Sequence, residues 1–97
     1  MAEERLYLVV YDISDPKRWR RVFKLMKGHG KWVQLSVFQC RLTARRRVSL
    51  AARLQEAIEP GEDHVLIFDL GPADRTTPSI ESLGKTFTRL ERRAIVI

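Results

Sequence analysis

Residues 6 to 13 read Leu-Tyr-Leu-Val-Val-Tyr-Asp-Ile, a run rich in β-branched and aromatic residues with no turn signal inside it. Such a run predicts a strand. Side chains alternate across a strand, so Leu6, Leu8 and Val10 fall on one side and Tyr7, Val9, Tyr11 and Ile13 on the other. Both sides are apolar, and a strand of this kind needs cover on both faces of its sheet. Asp63 to Leu70 repeats the pattern, with Val65 and Ile67 on one side and Leu66 and Phe68 on the other. The chain has 97 residues, which predicts one domain with a thin core. A second copy of the chain is the expected cover for the remaining face, so the pattern predicts a homodimer.

The connecting segments fix the order of elements. Ser14 or Asp15 caps a helix with Pro16 in its first turn. Trp19, Val22, Phe23 and Met26 give it an apolar face, and Gly28 and Gly30 end it. Lys31 to Leu42 is extended and contains no Gly, Pro or Asn; it is either one long bent strand or two short strands joined at a tight turn or bulge. Thr43 caps a second helix running to about Glu59, with Val48, Ala51, Leu54 or Gln55, and Ile58 as its inner face. Pro60-Gly61 stops it. After the strand Asp63–Leu70 come a loop at 71–78, a short extended piece at 80–83 and an apolar tail, Ala94–Ile97. Two helices on one face of a mainly antiparallel sheet predict an α+β, ferredoxin-like βαββαβ sandwich. The tail, residues 79–97, is expected to add a strand to the partner's sheet edge.

Charge points to the class of partner. Lys and Arg number 18 against 12 Asp and Glu, a net charge of +6. From Ser14 to Trp32 there are seven basic residues and one acid; from Arg41 to Arg53 there are five basic residues and none. From Glu56 to Glu81 the balance reverses, with seven acids and one Arg. Solvated helix faces carry charge runs too, but two basic blocks in so small a chain fit a phosphate-binding surface. With one cysteine, Cys40, no intrachain disulfide is possible. No apolar run is long enough to span a membrane, and the charged start lacks the apolar core of a signal peptide. A cytoplasmic location is expected.

Asp12 is the most informative single residue, because a carboxylate closing an apolar strand is costly unless it is paired or binds metal. It can cap the Pro16 helix, pair with Arg20 or Arg21, or bind a metal. His29 and His64 have no ligand spacing between them and read as solvent-facing. Ser36 lies in no nucleophile-elbow sequence, and no glycine-rich phosphate loop is present.

Leu8-Val9-Val10-Tyr11-Asp12-Ile13-Ser14-Asp15, followed by an Arg-rich helix, resembles the opening of the CRISPR-associated protein 2 family. Gly30-Lys31-Trp32-Val33-Gln34-Leu35-Ser36-Val37-Phe38 resembles that family's second signature. Arg41-Leu42-Thr43 and Asp63-His64-Val65 also fall where its pattern puts them. The resemblance covers residues 5–70 well and the tail loosely. It implies a ferredoxin-like homodimer whose C-terminal strands pack on the partner. It implies Asp12 as the metal ligand and catalytic residue of a Mg²⁺- or Mn²⁺-dependent endonuclease acting on RNA or DNA. Tyr11, Lys17, Arg18, Arg20, Arg21, Lys31, Ser36 and Phe38 are the nucleic-acid-binding residues it suggests. Trp19 and Trp32 stand where relatives are often basic. It equally implies a spacer-acquisition role, with the dimer bridging CRISPR integrase subunits on duplex DNA without cutting; a stand-alone toxin-type ribonuclease is a further alternative.

Overall fold

The computed structural model describes residues 3–84. Strand β1 is Glu4–Asp12, helix α1 Pro16–Lys27, β2 Gly30–Gln34, β3 Val37–Thr43, helix α2 Ala44–Ala57 and β4 His64–Pro72, followed by one 3₁₀ turn, Ala73–Arg75. The four strands form one antiparallel sheet in the order β2-β3-β1-β4. With both helices packed on the same face, this is the ferredoxin-like arrangement expected from the order of elements. No helix among the described residues is long and apolar enough to cross a membrane.

The ambiguous stretch 31–42 resolves into two strands. They turn at Leu35-Ser36, where Leu35 takes a left-handed φ of 41°. Few non-glycine residues adopt that conformation, which is why the sequence carries no turn signal there. Gly30 admits β2 against β3: a Cβ on it would meet the Cys40 Sγ at 2.5 Å and the Gln39 carbonyl oxygen at 2.7 Å.

Helix α1 starts as its sequence dictates. The Asp15 side chain accepts the Arg18 backbone N–H at 2.9 Å, with Pro16 in the first turn. The Thr43 side chain does the same for Arg46 in α2. Helix α2 differs from its expected phase and length. It ends at Ala57, and Leu50, Leu54 and Ala57 form its buried stripe, whereas Val48 is 57 % exposed. Two positions separate Val48 from Leu50, a rotation of about 200° around a helix, so both cannot face the core. β1 begins two residues earlier than expected and stops before Ile13, which is nevertheless buried. β4 runs on to Pro72 and pairs it with Arg5 past a bulge; proline is tolerated because β4 is an edge strand. No strand forms at 80–83. The tail 85–97, with the strand expected from it, lies outside the described residues.

The core sits between sheet and helices. Tyr7, Val9 and Tyr11 of β1 and Phe38, Cys40 and Leu42 of β3 pack on Val22 and Met26 of α1 and Leu50, Leu54 and Ala57 of α2. The opposite face carries Leu8 and Val10 beside their pairing partners Phe68 and Leu66. There Leu66, Phe68 and Leu70 are exposed. Among the described residues only the end near Leu6 is closed, where the 3₁₀ turn packs back on β1.

Candidate functional site

Three connections meet where β1 ends. Asp12 is the pairing partner of His64, the first residue of β4. On the other side the Tyr11 backbone N–H donates to the Ser36 carbonyl at 3.1 Å, carrying the β1–β3 pairing past Val10–Val37. Helix α1 starts just beyond, capped by Asp15. Asp12 is exposed, and among the described residues its carboxylate enters no side-chain hydrogen bond or ion pair. The helix cap is Asp15, and Arg20 and Arg21 point into solvent. Neither structural role open to Asp12 from the sequence is filled.

Beneath this end lies an aromatic cluster. Trp19 stacks on Phe23 at 5.0 Å, Phe23 meets Phe38 edge-on at 5.4 Å, and Tyr11 lies 6.3 Å from Trp19 and 6.4 Å from Phe38. Phe38 is 0 % exposed, and Tyr11 is buried as well. These two were expected to touch nucleic acid. Their alternation on β1 and β3 turns them to the helix face, so in this fold they support the site from below. The Tyr11 hydroxyl has no hydrogen-bond partner among the described residues, and burial pushes its pKa up to about 12. Ser36, another expected contact, accepts the Trp19 indole N–H at 2.8 Å and so ties the β2–β3 turn to α1.

Arg18 is committed within the protein. Its guanidinium donates to both oxygens of Asp63, at 2.7 and 3.2 Å, and to Glu62 at 3.0 Å. The Asp63 side chain is 0 % exposed and also accepts the Glu59 backbone N–H at 2.8 Å. The Arg18 hydrogen bond, assisted by that backbone N–H, holds the Asp63 carboxyl below the usual carboxylate range, and Asp63 holds the guanidinium charged. Expected as a phosphate contact, Arg18 instead pins the first turn of α1 to the residue preceding His64. Sequence reasoning placed Asp63 at a strand start and in the family pattern but missed it as the anchor of Arg18.

The basic side chains left to solvent define the outer face. Lys17, Arg20, Arg21, Lys24 and Lys27 are exposed along α1, with the Lys27 Nζ 5.9 Å from the Phe23 ring centroid. Lys31 is half-buried on β2 opposite Gln39. In the second block Arg41 pairs with Glu4 at 2.6 Å at the other end of the sheet, while Arg45, Arg46 and Arg53 are exposed.

The donor set near Asp12 is small. Among the described residues no three His, Cys, Asp or Glu side chains gather into a metal-binding group. An exposed, unpaired carboxylate fits a hard cation that keeps most of its waters and takes one or two carboxylates. Among the described residues Asp12 is the one exposed, unpaired carboxylate at this end of β1.

A sequence model of the CRISPR associated protein Cas2 family matches residues 5–77. The chain is similar to a CRISPR-associated endoribonuclease Cas2 of Rhodospirillum rubrum, 58 % identical over 97 % of this chain and 92 % of that protein. A CRISPR-associated endoribonuclease Cas2 of Geobacter sulfurreducens is 51 % identical over 97 % of this chain and 99 % of its own. The fold resembles the crystal structure of Streptococcus pyogenes Cas2, with a TM-score of 0.73 and 34 % identity over 81 % of this chain and 99 % of that one. A hypothetical protein from Thermus thermophilus gives 0.72 and 35 % over 84 % and 93 %. The strand ending in Asp12, the basic helix after it and the hairpin closed at Leu35-Ser36 are thus features of a chain that belongs to the CRISPR-associated Cas2 family.

Proposed function

We propose that this protein is a divalent-metal-dependent endoribonuclease that works as a homodimer in CRISPR adaptation. One observation carries the reading: an exposed Asp12 carboxylate, unpaired within the described residues, closes an inner strand just before the basic helix α1. The endoribonuclease names of the two relatives support RNA as substrate. The exposed apolar face of β1 and β4 supports a second copy as partner. The two-fold axis of such a dimer would bring its two Asp12 carboxylates to one site. The reaction is placed in the cytoplasm.

Asp12 from each copy would hold Mg²⁺ or Mn²⁺. When bound, that ion would supply Lewis-acid stabilisation of charge building on the phosphoryl oxygens. Lys17, Arg20, Arg21 and Lys31 hold the flanking phosphates, which fixes the strand against Asp12 without reading its sequence. Water adds to phosphorus as the bond to the leaving ribose oxygen breaks, and the proton the water gives up is balanced by one taken up by that oxygen from solvent. The Arg18–Asp63 pin and the aromatic cluster keep Asp12, the turn and the helix in fixed relation.

A second reading is a non-catalytic scaffold that bridges integrase subunits on duplex DNA. The absence of a three-ligand cluster among the described residues favours it, as does a basic face suited to sequence-independent duplex binding. Cleavage of RNA and duplex DNA by wild type and Asp12→Ala, in Mg²⁺ and in EDTA, separates the two. The nuclease reading predicts that Asp12→Ala loses Mg²⁺-dependent cleavage while keeping its salt-sensitive nucleic-acid binding. An Asp12→Ala protein that cuts as wild type ends the assignment of Asp12. Wild type that cuts nothing, with Asp12→Ala still supporting spacer integration beside an integrase, establishes the scaffold.

A further inference from the structure

We propose that Leu35 is an apolar wedge that inserts between bases of the nucleic-acid strand held beside Asp12. The proposal rests on the reading above that this end of the sheet serves nucleic acid. It concerns a residue that has no evident structural task among the described residues. Leu35 is 74 % exposed, and its φ is 41°. Glycine or asparagine would take that conformation at lower cost and without placing apolar surface in water. Leucine there is unfavourable on both counts.

The conformation is nevertheless fixed from three directions. The Trp32 indole N–H donates to the Leu35 carbonyl at 3.0 Å. The Trp19 indole N–H donates to the Ser36 hydroxyl at 2.8 Å, and the Tyr11 backbone N–H to the Ser36 carbonyl at 3.1 Å. Strain persists where its surroundings over-determine it, and such places cluster at functional sites. The side chain is thus held out before any ligand arrives.

Position selects the ligand. The β1–β3 register, extended through the Tyr11–Ser36 bond, brings Leu35 level with Asp12. Trp19 links the turn to α1, the helix that follows Asp12 in the chain. A strand held at Asp12 therefore passes the Leu35 tip. Leucine has no hydrogen-bonding group, so it reads no base edge. Its methyl groups can fill the gap of a partly unstacked step, as apolar wedges do in other nucleic-acid complexes. The ligand is therefore single-stranded RNA, with no sequence preference.

The probe is single-stranded RNA carrying 2-aminopurine, whose fluorescence rises when its base unstacks. Wild type, Leu35→Gly, Leu35→Asn and Leu35→Met are compared for fluorescence, affinity and thermal midpoint. Leu35→Gly and Leu35→Asn are expected to melt a few degrees higher, because strain is relieved. They should bind on the order of fivefold more weakly and lose the fluorescence rise, while Leu35→Met restores both. Leu35→Gly that binds and unstacks the probe like wild type overturns the wedge alone. Wild type that binds no RNA overturns it together with the reading beneath it.

Discussion

The two faces of the sheet are built from the same strands, and on β1 and β4 both carry apolar side chains, yet they have opposite fates. On the helix face Val9 and Phe38 are fully buried. On the other face Phe68 is 47 % exposed, with Leu66 and Leu70 beside it. Apolar alternation therefore reports that a face will be covered, but not by what. On the first face the cover lies within the chain; on the second we assign it to another copy. The site follows this division. Tyr11 faces the helices and supports the site, while Asp12, one residue on, turns to the open side.

Substitutions on the two faces should separate along that line. Phe38→Ala should cost about 3–5 kcal/mol, enough to leave so small a chain largely unfolded by circular dichroism. Asp63→Asn comes next, because it breaks the Arg18 pin: the thermal midpoint should fall on the order of 10 °C near neutral pH. The Asp63 carboxyl is held below its unfolded value, so its contribution is complete above pH of about 4 and is lost as pH falls through the lower folded value. The wild-type and Asp63→Asn midpoints should converge in acid; a gap independent of pH would contradict the pin. Phe68→Asp should leave the circular dichroism unchanged yet yield a monomer at micromolar concentration by sedimentation velocity. A dimer that survives it would reassign the open face. The smallest effect is Tyr11→Phe, which removes a buried hydroxyl without a partner and should stabilise by about 1 kcal/mol in denaturant titration.

Much of this was legible in the sequence because it is written in local patterns. The two-sided strands, the Asp15-Pro16 helix start and the Thr43 cap each depend on residues within a few positions of one another. Features that depend on distant partners were not legible. Arg18 looks like one more cation of a basic helix until Asp63, 45 positions away, is seen to take it. Phe38 and Tyr11 read as motif residues, and only the sheet shows that they face inward. The Leu35 turn carries no Gly or Asn, so its left-handed residue left no mark in the composition. Val48 shows a limit of periodicity itself: α2 has apolar residues in two phases, and only packing chose Leu50.

The central claim is that two copies share one site through their Asp12 carboxylates. It is tested most directly by mixing wild type with Asp12→Ala at fixed total concentration, allowing subunits to exchange, and measuring Mg²⁺-dependent RNA cleavage. If each site needs Asp12 from both copies, an equal mixture should retain about one quarter of wild-type activity, because only that share of dimers is fully wild type. Activity that falls in proportion to the wild-type fraction, to about one half in the same mixture, would mean that each chain works alone and would contradict the account.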